Sequence, residues 1–182
     1  KTYRTGHATG AGIYLRHTWG SIIPAHFPDP QEHTTAYAWT YIYSPQAQEA
    51  GALIELYNYG RSEKDAAPDA GTWDRYGSKI WLNDRPIAPP TFDNSGLTDI
   101  THETLLRNEN FTARPPVPVR LKKGWNKVLL RLPFLPDGRQ RLRKWMFTFV
   151  LTDRDGRNAL DGIVYAPHPT AEPPTALPLG SR

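Results

Sequence analysis

A polar stretch over residues 61–77 combines side-chain types that can bind sugars. The candidates in it and just before it are Trp73, Arg75, Tyr76, Asn58, Tyr59 and Arg61. The apolar face of a pyranose ring stacks on an exposed aromatic ring, while amide and guanidinium groups bond the sugar hydroxyls. Loops on a rigid scaffold often carry function, so this loop is a candidate carbohydrate-binding site. The alternative is that Trp73 packs over the end of the fold.

A second polar cluster consists of Asn108, Glu109 and Asn110, followed by Arg114. It lies in a stretch rich in Pro, Asn and Thr, residues 88–116, which predicts a long loop. A loop of this length needs a function or a packing surface. Its side chains would either bond sugar hydroxyls or cap the loop's own backbone, and the sequence favours neither.

Aromatic residues alternate with smaller ones along one predicted strand. The aromatic positions are Tyr37, Trp39, Tyr41 and Tyr43. Residues two apart on a strand share a face, so these rings form either an exposed stacking platform or part of the core. We expect Trp39, Tyr41 and Tyr43 to fill the core. We also expect core positions for the aromatic residues of other apolar strands, which are Trp81, Trp125, Trp145, Phe147 and Phe149.

The sequence offers no arrangement typical of an active site or a metal centre. It has no HExxH pattern, no GxSxG nucleophile elbow and no glycine-rich phosphate loop between a strand and a helix. Residues 153–156, Asp-Arg-Asp-Gly, place two carboxylates close together, but an EF-hand loop needs more acidic ligands than these. We therefore expect an Asp-Gly turn and no cofactor, with a structural calcium ion as the alternative.

The composition of the 182 residues is that of a folded domain. Hydrophobic residues make up 38% and charged residues 22%, and no apolar run reaches the ~18 residues of a membrane-spanning helix. Without cysteine the chain has neither disulfides nor Cys-based zinc sites. The net charge is +4, but basic residues cluster only at 139–144. We therefore expect no nucleic-acid partner and no membrane span.

Alternation and turn signals, with 14 glycines and 18 prolines, predict roughly eight short strands and little helix. Asn83 and Asp84 both tolerate positive φ and predict a type I′ hairpin turn. Pro118 predicts an edge strand because proline cannot donate to a ladder. The most apolar stretch, residues 144–152, is predicted to be a central strand. The pattern predicts an all-β, antiparallel jelly-roll β-sandwich with long loops.

We predict a single β-sandwich domain over residues 1–168, with residues 1–35 forming an irregular segment packed on it. A Pro-rich tail or remnant follows at residues 169–182. Because the sequence begins with Lys1 and its single methionine is Met146, we expect a fragment of a longer protein.

Two stretches carry a resemblance to known modules. Residues 79–84 read Lys-Ile-Trp-Leu-Asn-Asp, and residues 121–130 read Leu-Lys-Lys-Gly-Trp-Asn-Lys-Val-Leu-Leu. These resemble the hairpin and strand that recur in galactose-binding-like jelly rolls of bacterial glycoside hydrolases. Residues 9–20, 108–116 and 144–147 add a closer resemblance, to the C-terminal module of family-20 β-N-acetylhexosaminidases from Gram-negative bacteria.

This resemblance covers about residues 5–168 and implies a galactose-binding-domain-like fold. It implies a non-catalytic module that supports release of terminal GlcNAc or GalNAc by its parent enzyme, in the periplasm or at the cell surface. The catalytic residues of that family are an adjacent Asp-Glu pair in a barrel domain. No Asp-Glu dipeptide occurs here, so none is carried over and we expect no enzymatic activity from this chain.

Two partners therefore remain open, glycans and the catalytic barrel of the parent protein. In a sugar site, hydrogen-bonding side chains surround the aromatic rings. In a face that packs on another domain, aromatic residues lie among aliphatic ones and polar groups lie at the rim.

Overall fold

The computed structural model describes residues 5–10, 12–17, 24–57, 69, 71–74, 76–89, 116–135, 145–172 and 175. These residues form nine β-strands and no helix. The strands are β1 (Gly12–Arg16), β2 (Thr34–Ser44), β3 (Gln48–Tyr57), β4 (Lys79–Leu82), β5 (Arg85–Pro86), β6 (Val117–Leu121), β7 (Gly124–Phe134), β8 (Trp145–Thr152) and β9 (Val164–Ala166). Within the described ranges, no helix is therefore long and apolar enough to cross a membrane.

The strands pair in two antiparallel sheets. One sheet has four strands in the order β1-β8-β3-β6, and the other has five in the order β5-β4-β7-β2-β9. Apolar residues from the inner faces of both sheets form one core cluster. This confirms the predicted all-β, antiparallel β-sandwich.

Local sequence signals placed individual strands and one turn correctly. Pro118 lies in β6 at the edge of the four-stranded sheet, and β8 pairs on both sides, with β1 and β3. Asn83 and Asp84 have φ angles of 51° and 63° in the turn between β4 and β5. Both angles lie in the left-handed region that a type I′ turn requires at its two central residues.

The core is built from alternating positions of the long strands. Ala36, Ala38 and Ile42 of β2 face inward, as do Val128 and Leu130 of β7. Antiparallel pairing aligns the two inner sets, since Ala38 lies opposite Leu130. The two sheets of a sandwich pack about 10 Å apart. The small side chains of β2 do not fill this distance, so larger side chains from other strands can occupy the interior.

Large aromatic residues fill the end of this interior. Trp145 of β8 packs against Phe134 of β7, with ring centroids 5.0 Å apart, and against Phe27, at 6.0 Å. Its side chain is 3% exposed. The Trp145 ring therefore joins the two sheets to the segment before β2.

Tyr165 joins the two sheets at the edge of the five-stranded sheet that β9 forms. It belongs to β9 of the five-stranded sheet, and its hydroxyl accepts a hydrogen bond from the Leu151 N–H of β8 at 3.1 Å. Part of the ring faces solvent, but burial around the hydroxyl raises the pKa of Tyr165, and the Leu151 N–H opposes this only in part. The phenol is therefore a structural hydrogen-bond acceptor.

Candidate functional site

Trp73 and Tyr76 of the predicted sugar-binding loop are buried, at 5% and 9% exposure. Trp73 belongs to the core cluster, and its Nε1 donates a hydrogen bond to the Ile87 carbonyl at 3.1 Å. Its ring is therefore not available to stack on a sugar. Of the two roles predicted for Trp73, the structure shows the packing role, because the Trp73 side chain lies against Ile87, at the end of the β4–β5 hairpin.

A buried carboxylate holds this part of the loop in place. Asp74 Oδ1 accepts hydrogen bonds from the Tyr76 and Ser78 N–H groups at 2.9 and 3.0 Å, and Oδ2 accepts one from the Ser78 hydroxyl at 2.6 Å. Both oxygens are thus used within the turn, as expected for a buried polar group. Asp74 fixes the chain that leads into β4.

The remaining site candidates lie outside the described residues and stay predictions. They are Asn58, Tyr59, Arg61, Arg75, Asn108, Glu109, Asn110 and Arg114.

Aromatic and charged side chains meet instead on the outer face of the five-stranded sheet, which we call the aromatic face. It comprises Tyr37, Trp39, Tyr41 and Tyr43 of β2, Lys79 and Trp81 of β4, and Trp125, Lys127, Leu129 and Arg131 of β7. These positions alternate with the buried ones on each strand, which places them on the solvent side.

The strand register arranges these side chains in rows that cross the sheet. Lys79, Arg131 and Tyr37 form one row, because Arg131 lies opposite both of the others. The next row is Trp81, Leu129 and Trp39; beyond it Lys127 lies opposite Tyr41, and Trp125 lies opposite Tyr43. Side chains directly opposite on neighbouring strands are close enough to bind one ligand together.

The aromatic face overturns part of the expected core. Tyr37 is 56% exposed and Trp39 is 51% exposed, so the expectation that Trp39 fills the core was wrong. Tyr41, Tyr43, Trp81 and Trp125 are half-buried beside their neighbours on this outer face, so the same correction applies to them. The reason is that β2 buries its alanines and Ile42, which leaves the aromatic positions outside.

The other aromatic expectations are confirmed. Trp145 and Phe147 are buried, and Phe149 is partly buried against the core.

A buried amide fixes one end of the aromatic face. Asn126, fully buried, donates to the carbonyls of Lys122 and Gly124 at 2.9 and 3.0 Å. Its Oδ1 accepts from Asn83 Nδ2 at 2.8 Å, and Asn83 Oδ1 accepts from the Lys127 N–H at 3.1 Å. The two asparagines thus join the β4–β5 turn to the β6–β7 turn. These hydrogen bonds give a structural reason for an asparagine in each of the two stretches, residues 79–84 and 121–130.

A small cleft of about 190 Å³ lies beside these turns. It is lined by Tyr41, Asn83, Asp84, Lys122, Trp125 and Lys127. Lys127 forms an ion pair with Asp84, and this hydrogen bond raises the pKa of Lys127. The ammonium is therefore charged at neutral pH, and its charge is compensated within the protein.

The segment after β9 reaches the same part of the face at Thr170. Trp125 Nε1 donates a hydrogen bond to the Thr170 carbonyl at 3.0 Å, and the Trp125 ring packs edge-on against Tyr43 with centroids 5.5 Å apart. Trp125 and Tyr43 thus serve partly to hold this segment. Tyr37 and Trp39, at the opposite end of β2, are the most exposed of the four β2 rings.

A larger cleft, of about 540 Å³, opens between the edges of the two sheets, where β5 and β6 approach each other. Its lining is mainly apolar, from prolines, Ile87 and Val119, with Arg85 and Arg120 as its charged groups. It brings together no group of side chains with an evident chemistry.

The Asp153 turn is a hydrogen-bonded turn. Asp153 Oδ1 accepts from the Arg157 N–H at 2.8 Å, and Oδ2 accepts from Asn158 Nδ2 at 2.7 Å. These bonds, led by the one from Asn158, lower the pKa of Asp153. Within the described ranges, no three His, Asp or Glu side chains are grouped as a metal site would require.

Comparisons of the chain with known protein families, with curated proteins and with solved structures found no match.

Proposed function

We propose that this chain is a non-catalytic accessory module that binds glycans on its aromatic face. As the sequence resemblance implies, we further propose a galactose-binding-like jelly roll and a parent β-N-acetylhexosaminidase that releases terminal GlcNAc or GalNAc. The observation that carries the proposal is the exposure of Tyr37 and Trp39, at 56% and 51%, on a regular sheet.

Two large aromatic rings that lie side by side on one strand face, exposed to water, are unfavourable in free energy compared with the same rings covered by a partner. Burying apolar surface is favourable by roughly 25 cal/mol per Å². A scattered exposed ring is ordinary on protein surfaces, but a contiguous aromatic surface marks a place where a partner binds. Cross-strand alignment of Trp39 with Leu129 and Trp81 makes this surface contiguous across three strands.

The residues between the rings favour a sugar over a protein partner. In the cross-strand rows of the aromatic face, the aliphatic side chain is Leu129, whereas Lys79, Lys127 and Arg131 bring charged hydrogen-bond donors among the aromatic rings. A protein docking face has its polar groups at the rim. Donors interleaved with stacking surfaces are what a sugar needs, since each pyranose presents an apolar face and a ring of hydroxyls.

An exposed binding face of this kind suits an accessory module. Its intrinsic affinity for one glycan need not be high, because tethering to an enzyme converts a second binding event into an intramolecular one. The module would then keep the parent enzyme near its substrate without contributing a catalytic residue.

The test is a titration of the protein and of Trp39→Ala with GlcNAc, GalNAc, chitobiose and a panel of branched glycans, followed by calorimetry and two-dimensional NMR. We expect saturable shifts confined to β2, β4 and β7. A central aromatic residue is a typical binding hot spot, so Trp39→Ala should weaken binding by about tenfold or more.

The matched control is Val150→Ala. Val150 is a half-buried apolar residue on the outer face of the four-stranded sheet, and its truncation should leave glycan affinity unchanged. If no glycan binds the folded wild-type protein, the proposal is wrong, and the aromatic face is then a surface that packs on the parent catalytic barrel.

A further inference from the structure

We propose that the glycan bound by the aromatic face is acidic, and that Lys79, Arg131 and Tyr37 bind its anionic residue. The anionic group is a uronate carboxylate or a sulfate ester. This inference rests on the proposed glycan-binding function and specifies the chemical class of its ligand.

The first observation is a pair of cations placed directly opposite each other. Lys79 of β4 and Arg131 of β7 are register partners on the outer face, so their Cα atoms are about 5 Å apart. Like charges in this position destabilise a sheet. Among the residues that the structure describes, no carboxylate lies within ion-pair distance of either side chain. An anionic ligand would supply the compensation that the described part of the protein lacks.

The second observation is that the Arg131 side chain makes one hydrogen bond within the described part of the protein. Its Nη1 lies 3.4 Å from the Gly77 carbonyl, just before β4 begins, and donates a hydrogen bond to it. A guanidinium has five N–H donors in a planar fork, so several remain for a ligand. Such a fork matches the two oxygens of a carboxylate or sulfate.

The contrast with Lys127 sharpens this assignment. Lys127 lies on the same face of β7, but Asp84 neutralises its charge through an ion pair. Among the described residues, the face therefore has one cation paired with a carboxylate at the end near the turns and two cations without such a partner at the end near Tyr37. The acidic group is expected at the second end.

The two neighbouring rows differ in charge, which suits an acidic sugar beside a neutral one. Tyr37 completes the cationic row and offers an exposed ring on which the acidic sugar can stack. The row of Trp81, Leu129 and Trp39 lies two residues further along the strands, about 7 Å away. It has stacking surfaces and no charge, which suits the neutral neighbour.

The experiment compares two oligosaccharides that share N-acetylglucosamine. Hyaluronan tetrasaccharide carries carboxylates, and chitotetraose carries no charge. We expect the hyaluronan tetrasaccharide to bind about tenfold more tightly at low salt, because hydrogen bonds to charged groups are stronger than neutral ones. Its advantage should shrink in 1 M NaCl, where surface charges are screened. A chondroitin tetrasaccharide with and without sulfate distinguishes the sulfate from the carboxylate as the recognised group.

The variant is the double substitution Lys79→Gln and Arg131→Gln. It should remove the preference for the acidic sugar, because the affinity for the hyaluronan tetrasaccharide should fall by about tenfold and the affinity for chitotetraose should fall by less. It should also raise the melting temperature slightly, since it removes like-charge repulsion across the strands. A merely structural role for the two cations would lower the melting temperature. The matched control Arg154→Gln removes an exposed cation that is paired with Glu49, and should preserve the preference.

The outcomes separate the two proposals. Binding of neither oligosaccharide overturns the glycan-binding function itself. Equal binding of both, or an unchanged preference in the double variant, overturns only the acidic ligand. Tighter binding of a single-stranded oligo(dT) than of any glycan overturns both proposals, because the face would then be a nucleic-acid surface.

Discussion

Trp39 and Trp145 belong to strands that are alike in position but differ in what covers them. Each strand pairs on both sides, β2 with β7 and β9, and β8 with β1 and β3. Trp39 is 51% exposed, whereas Trp145 is 3% exposed between Phe134 and Phe27. The difference shows that strand pairing does not decide burial. What decides it is which of the two strand faces meets the opposite sheet.

The surroundings of the two tryptophans also differ in chemistry. Leu129 and the row of Arg131 and Lys79 flank Trp39, while Trp145 has aromatic rings around it in the core. The first arrangement suits a ligand and the second suits packing. Four substitutions test this comparison, and they are ordered by their expected effect on the free energy of unfolding.

Trp145→Ala should have the largest effect. Removing a fully packed tryptophan leaves a cavity between the sheets, which costs about 3–5 kcal/mol in other cores. Chemical denaturation followed by circular dichroism measures the change. A loss below about 1 kcal/mol would show that Trp145 does not join the two sheets.

Trp73→Ala should cost nearly as much, about 3 kcal/mol, because it removes core volume and leaves the Ile87 carbonyl without its indole donor. Trp73→Phe keeps most of the volume and loses only the donor, so its cost should be smaller. Glycan affinity should stay unchanged in Trp73→Phe; a selective loss of glycan binding in this folded variant would return Trp73 to the list of sugar-binding residues.

Asn126→Ala should cost about 2–3 kcal/mol, because several buried backbone and side-chain groups lose their partner at once. Those partners include Asn83 and both the N–H and the carbonyl of Lys122. The control is Asn158→Ala, which removes an exposed amide from the Asp153 turn. An equal loss in the two variants would contradict a special role for the buried asparagine.

Trp39→Ala should have the smallest effect on stability, below about 1 kcal/mol, because half of the side chain already faces water and only cross-strand contacts are lost. Thermal unfolding of this variant and of Trp145→Ala, under the same conditions, gives the comparison directly. Similar melting temperatures for the two variants would break the distinction between the aromatic face and the core.

Short-range signals predicted much of the fold. Alternation of aromatic and smaller residues located β2, the most apolar stretch located β8, Asn83 and Asp84 marked the hairpin turn, and Pro118 marked an edge strand. Each of these signals acts within a few residues, through side-chain alternation, positive φ or a missing N–H donor.

The candidate site was harder to predict. Trp73 lies in a polar stretch of the sequence, yet it is buried, because Asp74 turns the chain so that the indole reaches Ile87. Trp39 lies in an apolar stretch, yet it is exposed. In both cases local composition indicated the wrong environment, since burial depends on contacts with residues distant in sequence.

The sequence by itself determined that β2 has two faces, one of alanine, threonine and isoleucine and one of aromatic rings. Both faces are apolar enough to be buried, so the alternation of β2 alone does not distinguish core from surface. The tertiary structure decided this through register. β7 carries Lys127 and Arg131 on one face, and pairing aligns that charged face with the aromatic rings of β2. Charged groups are costly to bury, so the side chains of this face, with the rings among them, stay in solvent.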